Sequence, residues 1–147
     1  MLQLTKRINI ENAVLHATLS LPFEMRQKSR MRVTLDNGED AGVILPRGSM
    51  LKEGDVLQAD SGALIGIFAA PEAVTRVVCE EQLLFAKACY HLGNRHVPLQ
   101  IGAGWLRYRC DHVLDDMLRG LGLQIQYEIS AFEPESGAYH QGHAHHG

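Results

Sequence analysis

An α+β chain is predicted: a small all-β half, then a half that reads β-α-β-β-α-β, then a flexible histidine-containing tail. Three observations predict it. Turn signals crowd the first 70 residues, at Asp36-Asn37-Gly38, Pro46-Arg47-Gly48, Lys52-Glu53-Gly54-Asp55 and Asp60-Ser61-Gly62, with short apolar stretches between them. From Pro71 onward, strand-like and helix-like patterns alternate instead. After Phe132 the chain turns polar, and Glu133-Pro134-Glu135-Ser136-Gly137 leads into a run of histidines too poor in apolar residues to fold alone. The expected organisation is residues 1–70, 71–133 and 134–147.

In chain order, Ala13 to Leu21 reads as a strand ended by Pro22. Met31–Leu35 and Ala41–Leu45 flank Asp36-Asn37-Gly38, a hairpin signal because Asn and Gly tolerate positive φ. Val56–Ala59 and Leu64–Phe68 complete a small barrel or sandwich with no catalytic constellation. In the second half, Ala73–Cys79 is expected as a strand and Glu80–Leu92 as a helix, its acidic start suiting the helix dipole. Gly93 is expected to be its left-handed C-terminal cap, leaving His91 in the last turn and His96 at the start of the next segment. Val97–Ile101 is a strand that Pro98 restricts to a sheet edge or a strand start. Trp105–Cys110 comes next as a strand, then a helix capped by Asp111, with Asp115 and Asp116 early in it, then a last strand over Leu123–Phe132. This order is the split βαβ or ferredoxin-like arrangement, in which the second strand lies at the edge.

Hydrophobic content of 46% and charged content of 21% are ordinary for a soluble globular protein. A net charge of −3 suggests no polyanionic partner, and the basic residues between Arg26 and Arg32 are interleaved with Gln27, Ser29 and Met31, as on a solvated strand face. No apolar run reaches membrane-span length, and Met1–Leu21 lacks the apolar middle of a signal peptide. Three cysteines without framework spacing (Cys79, Cys89 and Cys110) suit a reducing compartment, so a cytoplasmic location is expected.

Four of the eight histidines, His140, His143, His145 and His146, lie in the tail. Together with His91 and His96 around the helix end, they suggest a metal carrier, since imidazole is a common metal ligand. No His-Glu-x-x-His or phosphate loop is present, so neither a metal hydrolase nor a nucleotide hydrolase is indicated, and a non-enzyme is expected.

Several stretches in the same order resemble the urease accessory protein E family. They are Arg30-Met31-Arg32 through Gly38-Glu39, Leu45-Pro46-Arg47-Gly48, Gly54-Asp55, Gly93-Asn94-Arg95-His96 and Asp111-His112-Val113. The resemblance covers essentially the whole chain. It implies a nickel metallochaperone with a β-rich, peptide-binding-like N-terminal domain and a ferredoxin-like domain that binds metal and forms a homodimer. It further implies delivery of Ni²⁺ to the urease apoprotein alongside a GTPase accessory protein, and it assigns the metal site to His96. Many members carry a histidine where this chain has Cys110.

One imidazole holds a divalent ion poorly. A two-fold axis would bring His96 and its symmetry mate to one Ni²⁺, and tail histidines could complete the coordination. Zn²⁺ or Cu²⁺ could bind the same donors. His91 reads equally as a ligand or as a helix-face residue with Leu84 and Ala88, and His112 as an exposed residue at a helix start. Cys110 is either a soft ligand or, by alternation with Leu106 and Tyr108, a buried thiol; Cys79 is either a core residue or a secondary ligand. Cys89 and His16 are expected to be structural. A metal buffer or storage protein, or a peptide-binding chaperone module with incidental metal binding, are the competing functions.

Overall fold

The computed structural model describes residues 1–136. The chain divides into two compact units, Met1–Pro71 and a second that begins at Glu72. It is strand-rich, with ten strands and three helices among the described residues.

The first unit is one six-stranded sheet in the order β2-β6-β5-β1-β4-β3. Its strands are β1 (Leu2–Ile8), β2 (Ala17–Leu21), β3 (Arg30–Thr34), β4 (Asp40–Ile44), β5 (Val56–Ala59) and β6 (Leu64–Ala69). The turn at Asp36-Asn37-Gly38 joins β3 and β4 as an antiparallel hairpin, with Gly38 at φ 93°, where a Cβ would be strained. β1 runs parallel to β4 and antiparallel to β5, with an irregularity between Leu4 and Lys6. β2 runs parallel to β6.

The sheet curls until its two edges approach. The Asp36 N–H donates to the Thr18 carbonyl at 2.9 Å, and the Asp36 carboxylate accepts from the Thr18 and Ser20 hydroxyls at 2.6 and 2.9 Å. Leu4, Leu19, Val43, Leu57, Ile65 and Ile67 fill the enclosed core. Beside this closure His16 Nε2 and Glu39 Oε1 stand 2.6 Å apart on the surface. One element is not expected from the sequence: Phe23–Arg26 forms a single helical turn, α1, after Pro22. The expected strand from Ala13 begins only at Ala17.

The second unit contains β7 (Pro71–Val78), α2 (Gln82–Asn94), β8 (Gln100–Gly102), β9 (Trp105–Arg109), α3 (His112–Gly120) and β10 (Ile125–Ala131). Its four strands order as β10-β7-β9-β8. Val77, Leu106 and Tyr108 from the sheet and Cys79 just after β7 pack with Ala88 and Leu92 of α2 and with Leu114 and Leu118 of α3. Both helices carry an acidic cap. The Glu81 side chain accepts from the Leu84 N–H, and Asp111 Oδ1 accepts from the N–H groups of Val113 and Leu114 at 2.9 and 3.2 Å. β8 is shorter than expected and lies at the sheet edge, where the missing N–H of Pro98, just before it, breaks no ladder.

The opposite sheet face bears Trp105, whose ring lies so close to Gly102 that a Cβ there would meet it at 2.0 Å. The Arg107 guanidinium stands 4.8 Å from that ring and pairs with Glu128 at 3.1 Å. After β10, at one edge of the sheet, the chain crosses to β8 at the other. Phe132 is fully buried, the Glu133 N–H donates to Gln100 Oε1 at 3.1 Å, and the Glu135 N–H donates to the Leu99 carbonyl at 2.8 Å. Among the described residues no helix is long and apolar enough to cross a membrane.

Candidate metal centre

The end of α2 sets the geometry of His96. The helix runs through Gly93 and Asn94 and is capped by Arg95. The left-handed residue is therefore not Gly93, as the sequence suggests, but His96 itself, at φ 58°. Two hydrogen bonds define a Schellman ending: the His96 N–H donates to the Gly93 carbonyl at 3.0 Å and the Val97 N–H to the Leu92 carbonyl at 3.3 Å. Buried Leu92 belongs to a core cluster against which the half-buried Val97 packs, so the apolar contact that closes this motif places the left-handed turn three residues past the glycine.

α3 ends the same way. The Gly122 N–H donates to the Arg119 carbonyl and the Leu123 N–H to the Leu118 carbonyl, with Gly122 left-handed at φ 94°. Two helices thus share one ending, and glycine fills the strained position in only one of them. A non-glycine residue held left-handed costs about 1–2 kcal/mol, and such strain gathers where function requires a particular side chain.

His96 is exposed and lines a cleft of about 400 Å³ with Val97 and Pro98; the β9–α3 corner contributes Arg109, Cys110, Asp111 and Leu114. The fold therefore brings His96 and Cys110 to one cleft from positions 14 residues apart. Cys110 is exposed, which corrects the buried-thiol reading. β9 stops at Arg109, so the alternation through Leu106 and Tyr108 ends before Cys110. Its Sγ lies 3.7 Å from the Thr75 hydroxyl. Asp111, expected only as a cap, also lines the cleft; its position three residues before the buried Leu114 is the signal that could have found it.

The other candidates lie apart from this cleft. His91 is half-buried in the last turns of α2, its ring edge-to-face with Tyr90 at 5.2 Å. The His112 side chain is 88% exposed and stands 3.9 Å from the Asp116 carboxylate. Cys79 is in the core, its thiol donating to the Glu81 carbonyl at 3.4 Å. Cys89 packs against the same core, and burial pushes its thiol pKa up. His140, His143, His145 and His146 lie outside the described residues. Among the described residues no three His, Cys, Asp or Glu side chains stand close enough to hold one ion.

Behind Cys110 sits a feature unread in the sequence. Asp115, 2% exposed, accepts on Oδ1 from the Tyr108 and Thr75 hydroxyls at 2.6 and 2.9 Å, and on Oδ2 from the Tyr127 hydroxyl at 2.8 Å. The carboxylate ties α3 to β7, β9 and β10 together. Burial and the adjacent Asp115 carboxylate push the Tyr108 phenol well above the ordinary tyrosine range.

Comparison with known proteins places this arrangement in a family. Residues 4–70 match the N-terminal domain and residues 72–147 the C-terminal domain of the UreE urease accessory protein. The urease accessory protein UreE of Alkalilimnicola ehrlichii is 59% identical over 95% of this chain and 85% of its own length. That of Citrobacter koseri is 54% identical over 99% of this chain and its entire length, and that of Vibrio parahaemolyticus is 53% identical over 86% and 84%. The chain belongs to the urease accessory protein UreE family.

Proposed function

We propose that this protein is a nickel metallochaperone that carries Ni²⁺ to the urease apoprotein during assembly of its active site. The reading rests most on the left-handed His96, an exposed imidazole kept where the matching helix end uses glycine. Membership of a urease accessory family supports urease maturation as the setting; the partners in this reading are the urease apoprotein and a GTPase accessory protein.

Within one chain the cleft offers His96, Cys110 and Asp111, too few and too far apart to close round an ion. A homodimer would supply a second His96, and the tail histidines would supply further imidazoles. A half-built site suits delivery, because a metal held by few donors from each chain leaves readily. The order β7-α2-β8-β9-α3-β10 with strands β10-β7-β9-β8 supports a ferredoxin-like reading of this unit. His112, His91, Cys110 and Cys79 rank below His96 as ligands, Cys79 lowest because it is in the core. Zn²⁺ and Cu²⁺ would compete for the same donors.

The test is urease activation from purified components with the nickel-loaded protein as sole nickel source. Activation that falls at least tenfold with His96→Asn is expected. Nickel retained by the protein while urease stays inactive would mean a storage role and would end the delivery reading.

A further inference from the structure

Both helices of the second unit pack on one face of its sheet. The other face is built by the alternate residues Val74, Arg76 and Val78 of β7 and Trp105, Arg107 and Arg109 of β9. The register sets Arg76 directly opposite Arg107, a pairing of like charges that costs stability unless other groups offset it. The Trp105 ring lies 4.8 Å from the Arg107 guanidinium and 5.9 Å from that of Arg76. Glu128 of β10 stands 3.1 Å from Arg107 and 3.9 Å from Arg76. One carboxylate therefore serves two guanidiniums. The Nε–H groups of both arginines and the hydroxyl of Ser130, two residues on from Glu128, are buried without a hydrogen-bond partner among the described residues, a state that folded proteins rarely leave unexplained.

This group of side chains is not sealed from solvent. Arg76 keeps 36%, Arg107 21% and Glu128 27% of its side-chain exposure, and Val78, paired with Trp105, is 51% exposed. We propose that this sheet face docks an acidic segment of a partner protein. One carboxylate of the segment becomes the second acceptor for Arg76 and Arg107, and an apolar neighbour rests on Val78 and Trp105. Arginine suits the task because its planar fork takes a carboxylate through two parallel N–H···O bonds. The charge balance favours a short acidic segment over a nucleic acid. Alternation along β7 adds Glu72 to Glu128 on this face, against three arginines, and the whole chain carries −3. A phosphate backbone needs a broader basic surface than that.

Trp105 is the single tryptophan of the chain, so its emission reports directly on this face. The experiment titrates the full chain, free of metal and at low salt, with a peptide of four glutamates and two leucines. Trp105 emission and the anisotropy of a label on the peptide are followed together, with a thermal melt of each variant as the check on folding. A saturable change is expected, at least about tenfold weaker for the same peptide with glutamine in place of glutamate, and for Arg107→Gln. Arg107→Lys keeps the charge but loses the fork, and should bind several-fold more weakly than the original. Glu128→Gln releases both guanidiniums from their one carboxylate and should tighten the peptide several-fold, a gain that a misfolded variant would not mimic.

Absence of a saturable change overturns the proposal. So does equal binding of the glutamine peptide, which would mean an apolar surface alone, or undiminished binding by folded Arg107→Gln, which would put the peptide elsewhere. Weaker binding by folded Glu128→Gln contradicts it as well. Displacement of the peptide by inorganic phosphate or by oligothymidylate at matching concentration would make the face a general anion site and end the acidic-segment reading.

Discussion

Replacing His96 with glycine should make the metal-free protein more stable and the metal-binding protein worse. At φ 58° the histidine backbone carries the left-handed cost of about 1–2 kcal/mol. Glycine escapes that cost but gives back about 0.5–1 kcal/mol of unfolded-chain entropy. The net expectation is a gain of roughly 0.5–1 kcal/mol, since the exposed imidazole makes no side-chain hydrogen bond to lose among the described residues. For a unit of this size that corresponds to a rise in Tm of about 2–8 °C.

His96→Ala, which keeps the left-handed cost, should leave Tm within about 2 °C of the original. Gly122→Ala, the mirror-image change at the end of α3, should lower stability by about 1 kcal/mol or more. The assay is a set of melts on metal-free protein at one concentration, paired with Ni²⁺ titration. A glycine variant that melts lower than the histidine protein, or that keeps its nickel affinity, would show that no strain is held at this site for the sake of the imidazole.

Three further outcomes are expected. With an aromatic disulfide reagent at neutral pH, exposed Cys110 should react first, half-buried Cys89 more slowly and buried Cys79 slowest, until denaturant makes all three equivalent; equal rates in the folded state would contradict this order of burial. Asp115→Ala strips a shared acceptor from the fully buried hydroxyls of Thr75 and Tyr108 and should cost about 3 kcal/mol in chemical denaturation; a loss under 1 kcal/mol would mean the network contributes little. Because the folded Tyr108 pKa is raised, its contribution to stability is fully present below the unfolded value of about 10 and is lost as pH rises towards the folded value. Alkaline titration at 295 nm should therefore show Tyr108 ionising last and together with unfolding.

Much of the fold was legible because local chemistry and tertiary demand agreed. Asp36-Asn37-Gly38 does make the β3–β4 turn, Val56–Ala59 is β5, and Asp111 caps α3. β1 was missed because only Leu4 is buried along it, and the irregularity between Leu4 and Lys6 spoils its alternation. α1 is a single turn, too short to show a helical period.

At the site, the sequence offered Gly93 as the left-handed cap, and the apolar pairing of Leu92 with Val97 overrode it. That outcome depends on which residues the core accepts, which a local glycine signal does not contain. Asp115 and Asp116 looked alike as acidic residues near a helix start. They differ because Asp115 falls between Leu114 and Leu118 on the inward face, a distinction that helical periodicity does carry.

The placement of β1 in the first sheet bears on how the protein is made. The earliest of the described strands in chain order is an interior one, and both its neighbours, β4 and β5, are encoded 30 or more residues later. Until residues up to Ala59 have emerged, Leu2–Ile8 has no complete pair of partners, and β2 must wait for β6 near Ala69. Non-local pairing of this kind forms slowly and leaves strand edges open meanwhile. A nascent chain stalled within its first half should therefore be the form most prone to aggregate, and release past Ala69 should be the point at which protease resistance of the N-terminal unit first arises.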